Sequence, residues 1–237
     1  MKIALLGYGK MGKEIEKISK ERGHCIIFKI DKDSDIKNIK GADVAINFST
    51  PDSAVKNIEL GLNSLVPVIS GTTGWLSDFK RVKELSKKLK TSFLYSSNFS
   101  LGVNLFFDLN KKLANIMKEH DEYKLNIEET HHIKKIDNPS GTAISLAEGI
   151  IKSGKYEGWT LYEEKDKVIS IKSNRINEVH GVHKVNYSSA IDSIEIIHTA
   201  KNRKGFALGA IISAEWIINK KGIFEMKDVI NDTKFKL

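Results

Sequence analysis

The sequence is poor in residues that cross-link, kink or anchor a chain. Cys25 is its only cysteine, which excludes an intrachain disulfide and a cysteine-based zinc site. Its setting, HCIIFKI, predicts a buried strand. There are only 3 prolines, with no Pro-rich linker, low-complexity tract or internal repeat. No apolar run approaches the roughly 20 residues needed to cross a bilayer, so no membrane association is expected. The opening MKIALLGYGK runs straight into glycine-rich sequence without a signal-peptide cleavage region, and a cytoplasmic location is expected. Arginine is scarce as well, 4 against 34 lysines, although the net charge is +8. Phosphate and base recognition favour the planar arginine fork, and the lysines are scattered, so nucleic acid is not an expected partner. A lysine-rich solvated surface that attracts anionic small molecules fits better.

What is present is an ordinary globular composition over 237 residues, 41% hydrophobic and 29% charged, enough for one large domain or two small ones. The first hundred residues alternate strand-like runs (KIALLG, CIIFKI, ADVAINF, VPVIS, SFLYS) with helical stretches (MGKEIEKISKER, DSAVKNIELGLN, LSDFKRVKELSKKLK). Alternation of this kind predicts a parallel sheet covered by helices, and the strands read as apolar enough to be buried on both faces. A helix follows in LGVNLFFDLNKKLANIMKEH, with Leu105, Leu109, Leu113 and Ile116 at helical spacing. Residues 123–132 turn extended, helix resumes after Pro139, and VISIKS, VHKVNYSS and SIEIIHTA predict an antiparallel or mixed sheet. The tail FALGAIISAEWIINKKG returns to helix. The fold class is α/β: a Rossmann-type dinucleotide-binding half followed by an α+β half with a mixed sheet.

Residues 7–12 read GYGKMG, a GxGxxG between a strand-like run and an amphipathic helix. There the first glycine permits a tight turn, the second lets a pyrophosphate approach the backbone, and the third lets helix and strand pack closely. Gly7, Tyr8, Gly9, Lys10, Met11 and Gly12 are therefore candidate cofactor contacts. Asp31 ends the second strand about 20 residues on, where a carboxylate binds adenosine ribose hydroxyls. That favours NADH, while the neighbouring Lys32 leaves room for the 2′-phosphate of NADPH, so both cofactors stay open. The loops NFSTP and SGTTGW also follow strand-like runs, and Gly71, Thr72 and Thr73 join the candidate cofactor surface.

The segment THHIKKIDNPSGTA, residues 130–143, reads as a strand end, a basic turn and a helix start. Asn138 suits an N-cap and Pro139 the first helical position. The amides of Ser140, Gly141 and Thr142 would then be free donors at the positive end of a helix, a seat for a carboxylate. Lys135 adds charge, and His131 or His132 adds a proton that titrates near neutrality. A metal could be sought at His131 or His132 with Asp137, or at His180 with His183, but neither spacing matches a known ligand pattern and no metal is expected.

Taken together, GYGKMG, NFSTP, GTTGW, SSNFSLGVN (residues 96–104), EETHHIKKIDNPSGTA (residues 128–143), HTAKNRKGFALGAIISAEWI and GIFEMKDV resemble, nearly end to end, the dihydrodipicolinate reductase family of diaminopimelate and lysine biosynthesis, also called 4-hydroxy-tetrahydrodipicolinate reductases. The resemblance implies NADH- or NADPH-dependent reduction of a cyclic dicarboxylate, with hydride delivered to ring C4. It implies that His131 and Lys135 form the catalytic acid/base pair, and that His132, Lys135, Ser140, Gly141 and Thr142 hold the substrate. Ser96, Ser97, Asn98 and Phe99 would join the cofactor contacts. It further implies a dinucleotide domain at residues 1–98 to which residues 207–237 return, a substrate and oligomerisation domain at residues 99–206, and a homotetramer. Three departures stand out: the glycine loop is one residue shorter than is common in the family, Asn177 stands where glycine is frequent, and the stretch from Gly154 to Val168 is short. Asn tolerates left-handed backbone angles, so a local adjustment is expected at Asn177.

Overall fold

Apolar runs at strand spacing and amphipathic runs at helical spacing alternate from the start of the chain. In order they form β1 (Lys2–Leu6), α1 (Lys10–Glu21), β2 (Cys25–Ile30), β3 (Val44–Asn47), α2 (Pro51–Asn63), β4 (Val68–Ser70), α3 (Phe79–Lys88) and β5 (Ser92–Tyr95). Next come α4 (Leu101–Met117), β6 (Lys124–His131), α5 (Gly141–Ile151), β7 (Gly158–Leu161), β8 (Val168–Arg175), β9 (Val182–Ser188) and β10 (Ser193–Thr199). The chain closes with α6 (Lys204–Ile217), β11 (Gly222–Phe224) and α7 (Met226–Ile230). The structure is a computed structural model that describes residues 1–31, 34–163, 165–202 and 204–232. It divides into two units, Met1–Asn104 with Lys204–Leu237, and Leu105–Arg203, the boundary falling inside α4.

In the first unit six parallel strands lie in the order β11-β5-β4-β3-β1-β2. The alternation of β1 feeds two cores: Ile3 and Leu5 face α1 and α6 on one side, Ala4 and Leu6 face α2 and α3 on the other. Strands β3 and β4 are buried throughout and β1 is buried beyond its exposed first residue, Lys2, as their apolar sequences predict. The reading of CIIFKI as a buried strand is corrected: β2 is the edge of the sheet, only Ile30 is buried, and Cys25 is exposed. An apolar run cannot by itself distinguish a central strand from an edge one.

The second unit carries a mixed five-stranded sheet in the order β10-β9-β6-β8-β7, antiparallel from β10 to β6 and parallel from β6 to β7. Helices α4 and α5 cover one face, burying Phe106, Ala114, Met117, Leu146 and Ile150 against Ile127, Ile171 and Val185. On α4 the stripe of Leu105, Leu109 and Ile116 is exposed, and Phe106, Asn110, Ala114 and Met117 form the buried face. Strand β7 forms within the short stretch after Gly154, so that stretch still completes an edge. Asn177 takes a left-handed φ of 27°, in keeping with its tolerance for such angles.

Candidate active site

Two sets of residues carry the chemistry, one in each unit. In the first, β1 runs into a turn at Gly7, whose φ is +99° and whose backbone passes so close to Phe48 that a Cβ would lie 2.2 Å from the Phe48 carbonyl oxygen. Only glycine satisfies both demands. A Cβ on Gly12 would lie 2.5 Å from the Gly7 carbonyl oxygen, so the third glycine allows α1 to pack against the turn. Gly9 has open space around it and is the N-cap of α1, with no side-chain cap and no acid in the first turn. The helix therefore presents uncapped N–H groups at its positive end.

These elements line a cleft of about 980 Å3 together with Asp31, Ser34, Asp35, Lys37, Lys56, Asn57, Gly71, Thr72 and Thr73. Of the residues expected to hold a cofactor, Gly7, Tyr8, Gly9, Lys10, Met11, Asp31, Gly71, Thr72 and Thr73 line it, while Gly12 sits behind the turn. Lys32 lies outside the described residues. Ser96, Ser97, Asn98 and Phe99 do not line the cleft. The Ser96 amide donates to the Ser70 carbonyl just before Gly71, and Ser96 and Asn98 fold into a turn before α4. The Phe99 side chain belongs to the core: its ring packs 5.6 Å from that of Phe48, and it is 1% exposed. Sequence reasoning missed Asn47, which is fully buried and bonds Ser70 and Ser49, fixing the strand ends beneath the cleft. A polar residue closing the apolar run VAIN was its signal. Tyr8 is steadied by Glu16 and by Lys29, whose ammonium stands 4.7 Å from its ring centre. Lys20, Tyr8 and Lys29 lower the Glu16 carboxyl to about 2.

In the second unit β6 alternates strictly, with Leu125, Ile127, Glu129 and His131 on the buried side. His131 therefore points inward beside Glu129, and His132 follows beyond the strand end, half-buried. The Lys135 amide closes a turn on the His132 carbonyl, and its ammonium pairs with Asp137 at 2.7 Å. Burial raises the Asp137 carboxyl, but Lys135 and nearby backbone N–H groups outweigh it and hold it below its ordinary value.

The helix start is corrected by two residues. Asn138–Pro139 is a cis peptide bond ahead of the helix, and Ser140 is the N-cap, its hydroxyl accepting from the Ala143 amide at 3.2 Å. The Ser140 amide is not free: it donates to Glu129 Oε1 at 2.9 Å. Gly141 and Thr142 open the helix, with Gly141 exposed and Thr142 half-buried. Asn and Ser both make good N-caps, and the pull of Glu129 on Ser140 decides between them.

Sequence reasoning also missed Glu129, Ser173 and Arg175. Glu129 Oε1 accepts from Ser173 Oγ at 2.5 Å and from the Arg175 guanidinium at 3.3 Å, while Oε2 lies 3.1 Å from His131 Nδ1. Burial would raise the Glu129 carboxyl, but His131, Ser140 and Ser173 hold it far below the carboxylate range. Burial and neighbouring His131 lower His183 to about 3, so its imidazole is neutral near pH 7. Its Nε2 meets Ser140 Oγ at 3.1 Å. The signal for Glu129 was there, because an acid occupies a core-facing position of an alternating strand. Among the described residues Glu129, His131 and His183 are the one His/carboxylate group close enough to share an ion, which neither metal pairing considered from sequence anticipated. With Arg175 bound to the same carboxylate, the arrangement has the chemistry of a hydrogen-bond network.

The family described as “Dihydrodipicolinate reductase, N-terminus” matches residues 1–99, and “Dihydrodipicolinate reductase, C-terminus” matches residues 102–230. The chain is 52% identical over 235 residues to a 4-hydroxy-tetrahydrodipicolinate reductase of Christiangramia forsetii, covering 98% of each. It is 37% identical to the enzyme of that name from Rickettsia akari, covering 94% of this chain and 93% of the other. Among solved structures, a dipicolinate-bound dihydrodipicolinate reductase from Paenisporosarcina sp. TG-14 superposes with a TM-score of 0.75 at 21% identity, over 96% of this chain and 98% of that one. A probable dehydrogenase from Thermotoga maritima reaches 0.59 at 12% identity, over 97% and 92%. At these identities the structural likeness speaks for the fold.

Proposed function

Because the chain belongs to the dihydrodipicolinate reductase family, we propose that it reduces 4-hydroxy-tetrahydrodipicolinate to tetrahydrodipicolinate with a nicotinamide cofactor, in diaminopimelate and lysine biosynthesis. The observation that carries this reading is the match of both halves of the chain to one reductase family, at 52% identity to a curated member across nearly the whole length. The cleft of the first unit fits the cofactor: Gly9 leaves open space at an uncapped helix start, where a pyrophosphate is stabilised by N–H groups and helix dipole. Gly7 to Met11 would hold the phosphates, Asp31 the adenosine ribose, and Gly71 to Thr73 the nicotinamide end. When bound, the reduced nicotinamide supplies the hydride that goes to C4 of the substrate ring.

The second unit supplies binding and the proton. Gly141 and Thr142 offer helix N-terminal amides to one substrate carboxylate, and Ser140 shapes that helix start. A substrate carboxylate competes with Asp137 for Lys135, drawing the ammonium towards the ring. His132 lies beside this turn as a further donor. Lys135 or His131 then delivers the proton that completes the reduction, a contribution of roughly 10²-fold to 10⁴-fold for a positioned acid.

The test is NADH and NADPH oxidation by the purified protein, with substrate generated in place from pyruvate and aspartate semialdehyde by the preceding synthase. Turnover is expected, with a larger kcat/KM for NADH because the Asp31 carboxylate repels a 2′-phosphate. Inhibition by pyridine-2,6-dicarboxylate is expected too. Cofactor binding without turnover on this substrate would instead favour a nucleotide sensor or a reductase of another imine.

A further inference from the structure

We propose that Glu129 is a positioning residue that fixes the tautomer of His131 and, through Arg175, the turn that carries Lys135. This rests on the reading of His131 and Lys135 as the acid/base pair. His131 Nδ1 and Glu129 Oε2 face each other at 3.1 Å as an ion-pair contact, both buried and neither hydrogen-bonded to any other group, with His183 Nε2 3.7 Å from the same oxygen. A carboxylate oxygen only accepts, so the proton of a neutral His131 belongs on Nδ1 and the lone pair on Nε2. The other carboxylate oxygen is saturated by the Ser140 amide, Ser173 Oγ and Arg175. The Glu129 side chain is fully buried and cannot swing to solvent.

Nε2, the nitrogen left to exchange a proton, faces Gly181, where a Cβ would lie 3.0 Å away. A side chain there would crowd the nitrogen that the tautomer leaves reactive. Arg175 extends the same control to Lys135: its Nη2 donates to the Asp137 carbonyl at 2.5 Å and its Nε to the Lys135 carbonyl at 3.4 Å. One carboxylate thus orients an imidazole directly and a lysine-bearing turn through a guanidinium, a second layer that catalytic groups need in order to hold their geometry.

Glu129→Gln tests this with little change of shape. The amide oxygen must take the position of Oε1, because an NH2 there would face three donors. The NH2 then points at His131 Nδ1, which must become an acceptor, and the imidazole proton moves to Nε2. Nitrogen-15 NMR of the histidine rings above neutral pH is expected to show Nδ1–H for His131 in the wild type and Nε2–H in Glu129→Gln. With the assay described above, kcat should fall about 10-fold to 100-fold while the NADH dissociation constant stays within about twofold. A wild-type His131 protonated at Nε2 overturns the proposal without any variant, should Glu129→Gln fail to fold. So does a variant with the shifted tautomer and an undiminished kcat. If the wild type shows the Nδ1–H tautomer but does not turn over the substrate, the reductase reading fails while the tautomer assignment stands.

Discussion

At the scale of single residues, position within the site decides what each change should do. The Lys135 ammonium pairs with Asp137, and Lys135 belongs to a different unit from the dinucleotide cleft. Lys135→Ala is expected to lower kcat by roughly 10²-fold to 10⁴-fold and to leave NADH affinity nearly intact. Isothermal titration beside steady-state kinetics checks it, and lost NADH binding with near-normal turnover would remove Lys135 from the chemistry. His183 gives a pH signature. Its ordinary value of 6.5 falls to about 3 in the folded protein through burial and the nearby His131, so the unfolded chain binds more protons between those values. Stability from this group is complete above pH 6.5 and is lost as pH falls towards about 3. Denaturant melts across that range should show a shallower acid decline for His183→Gln than for the wild type.

At the scale of elements, the start of α5 joins stability to site geometry. The Ser140 hydroxyl caps the Ala143 amide and also meets His183, so Ser140→Ala should lower stability by about 1 kcal/mol, the usual cost of losing an N-cap, while Ser140→Thr should restore most of it. Thermal melts of the two variants decide this; equal stability for Ser140→Ala and wild type would mean that the cap contributes nothing. This element also shows where sequence legibility ends. The spacing of Pro139 and the small residues announces a helix start, but its first residue depends on Glu129, eleven positions earlier, pulling the Ser140 amide inward. Strand β6 is the opposite case, since its alternating burial is written in the sequence and places His131 on the inner side.

At the scale of the whole molecule, the second sheet has one face covered by α4 and α5, while the other leaves Ile197 exposed. On that uncovered side of the strands Asn126 and Asn186 are register partners, each with a buried amide oxygen that lacks a hydrogen bond. Unsatisfied buried amides of this kind mark a surface for association. We expect a homotetramer built on this sheet, as the family resemblance implies. Light scattering with size exclusion should give four times the 26.6 kDa chain mass, and Ile197→Lys should dissociate it. A monomeric wild type would refute this assembly.

The sequence by itself determined the local events. The positive φ at Gly7, the packing of Gly12 on that turn, alternation in β6 and the basic turn before α5 depend on neighbours a few residues away, so spacing alone reveals them. Nearly full-length resemblance to one reductase family supplied the chemistry. Only tertiary structure decided which strand became the exposed edge carrying Cys25, that Phe99 joins the core, and that Ser140 caps α5. It alone brought Ser173, Arg175 and His183 around Glu129 and His131. Those outcomes rest on strand order and on contacts between residues dozens of positions apart, where packing and burial rather than local spacing set the free energy.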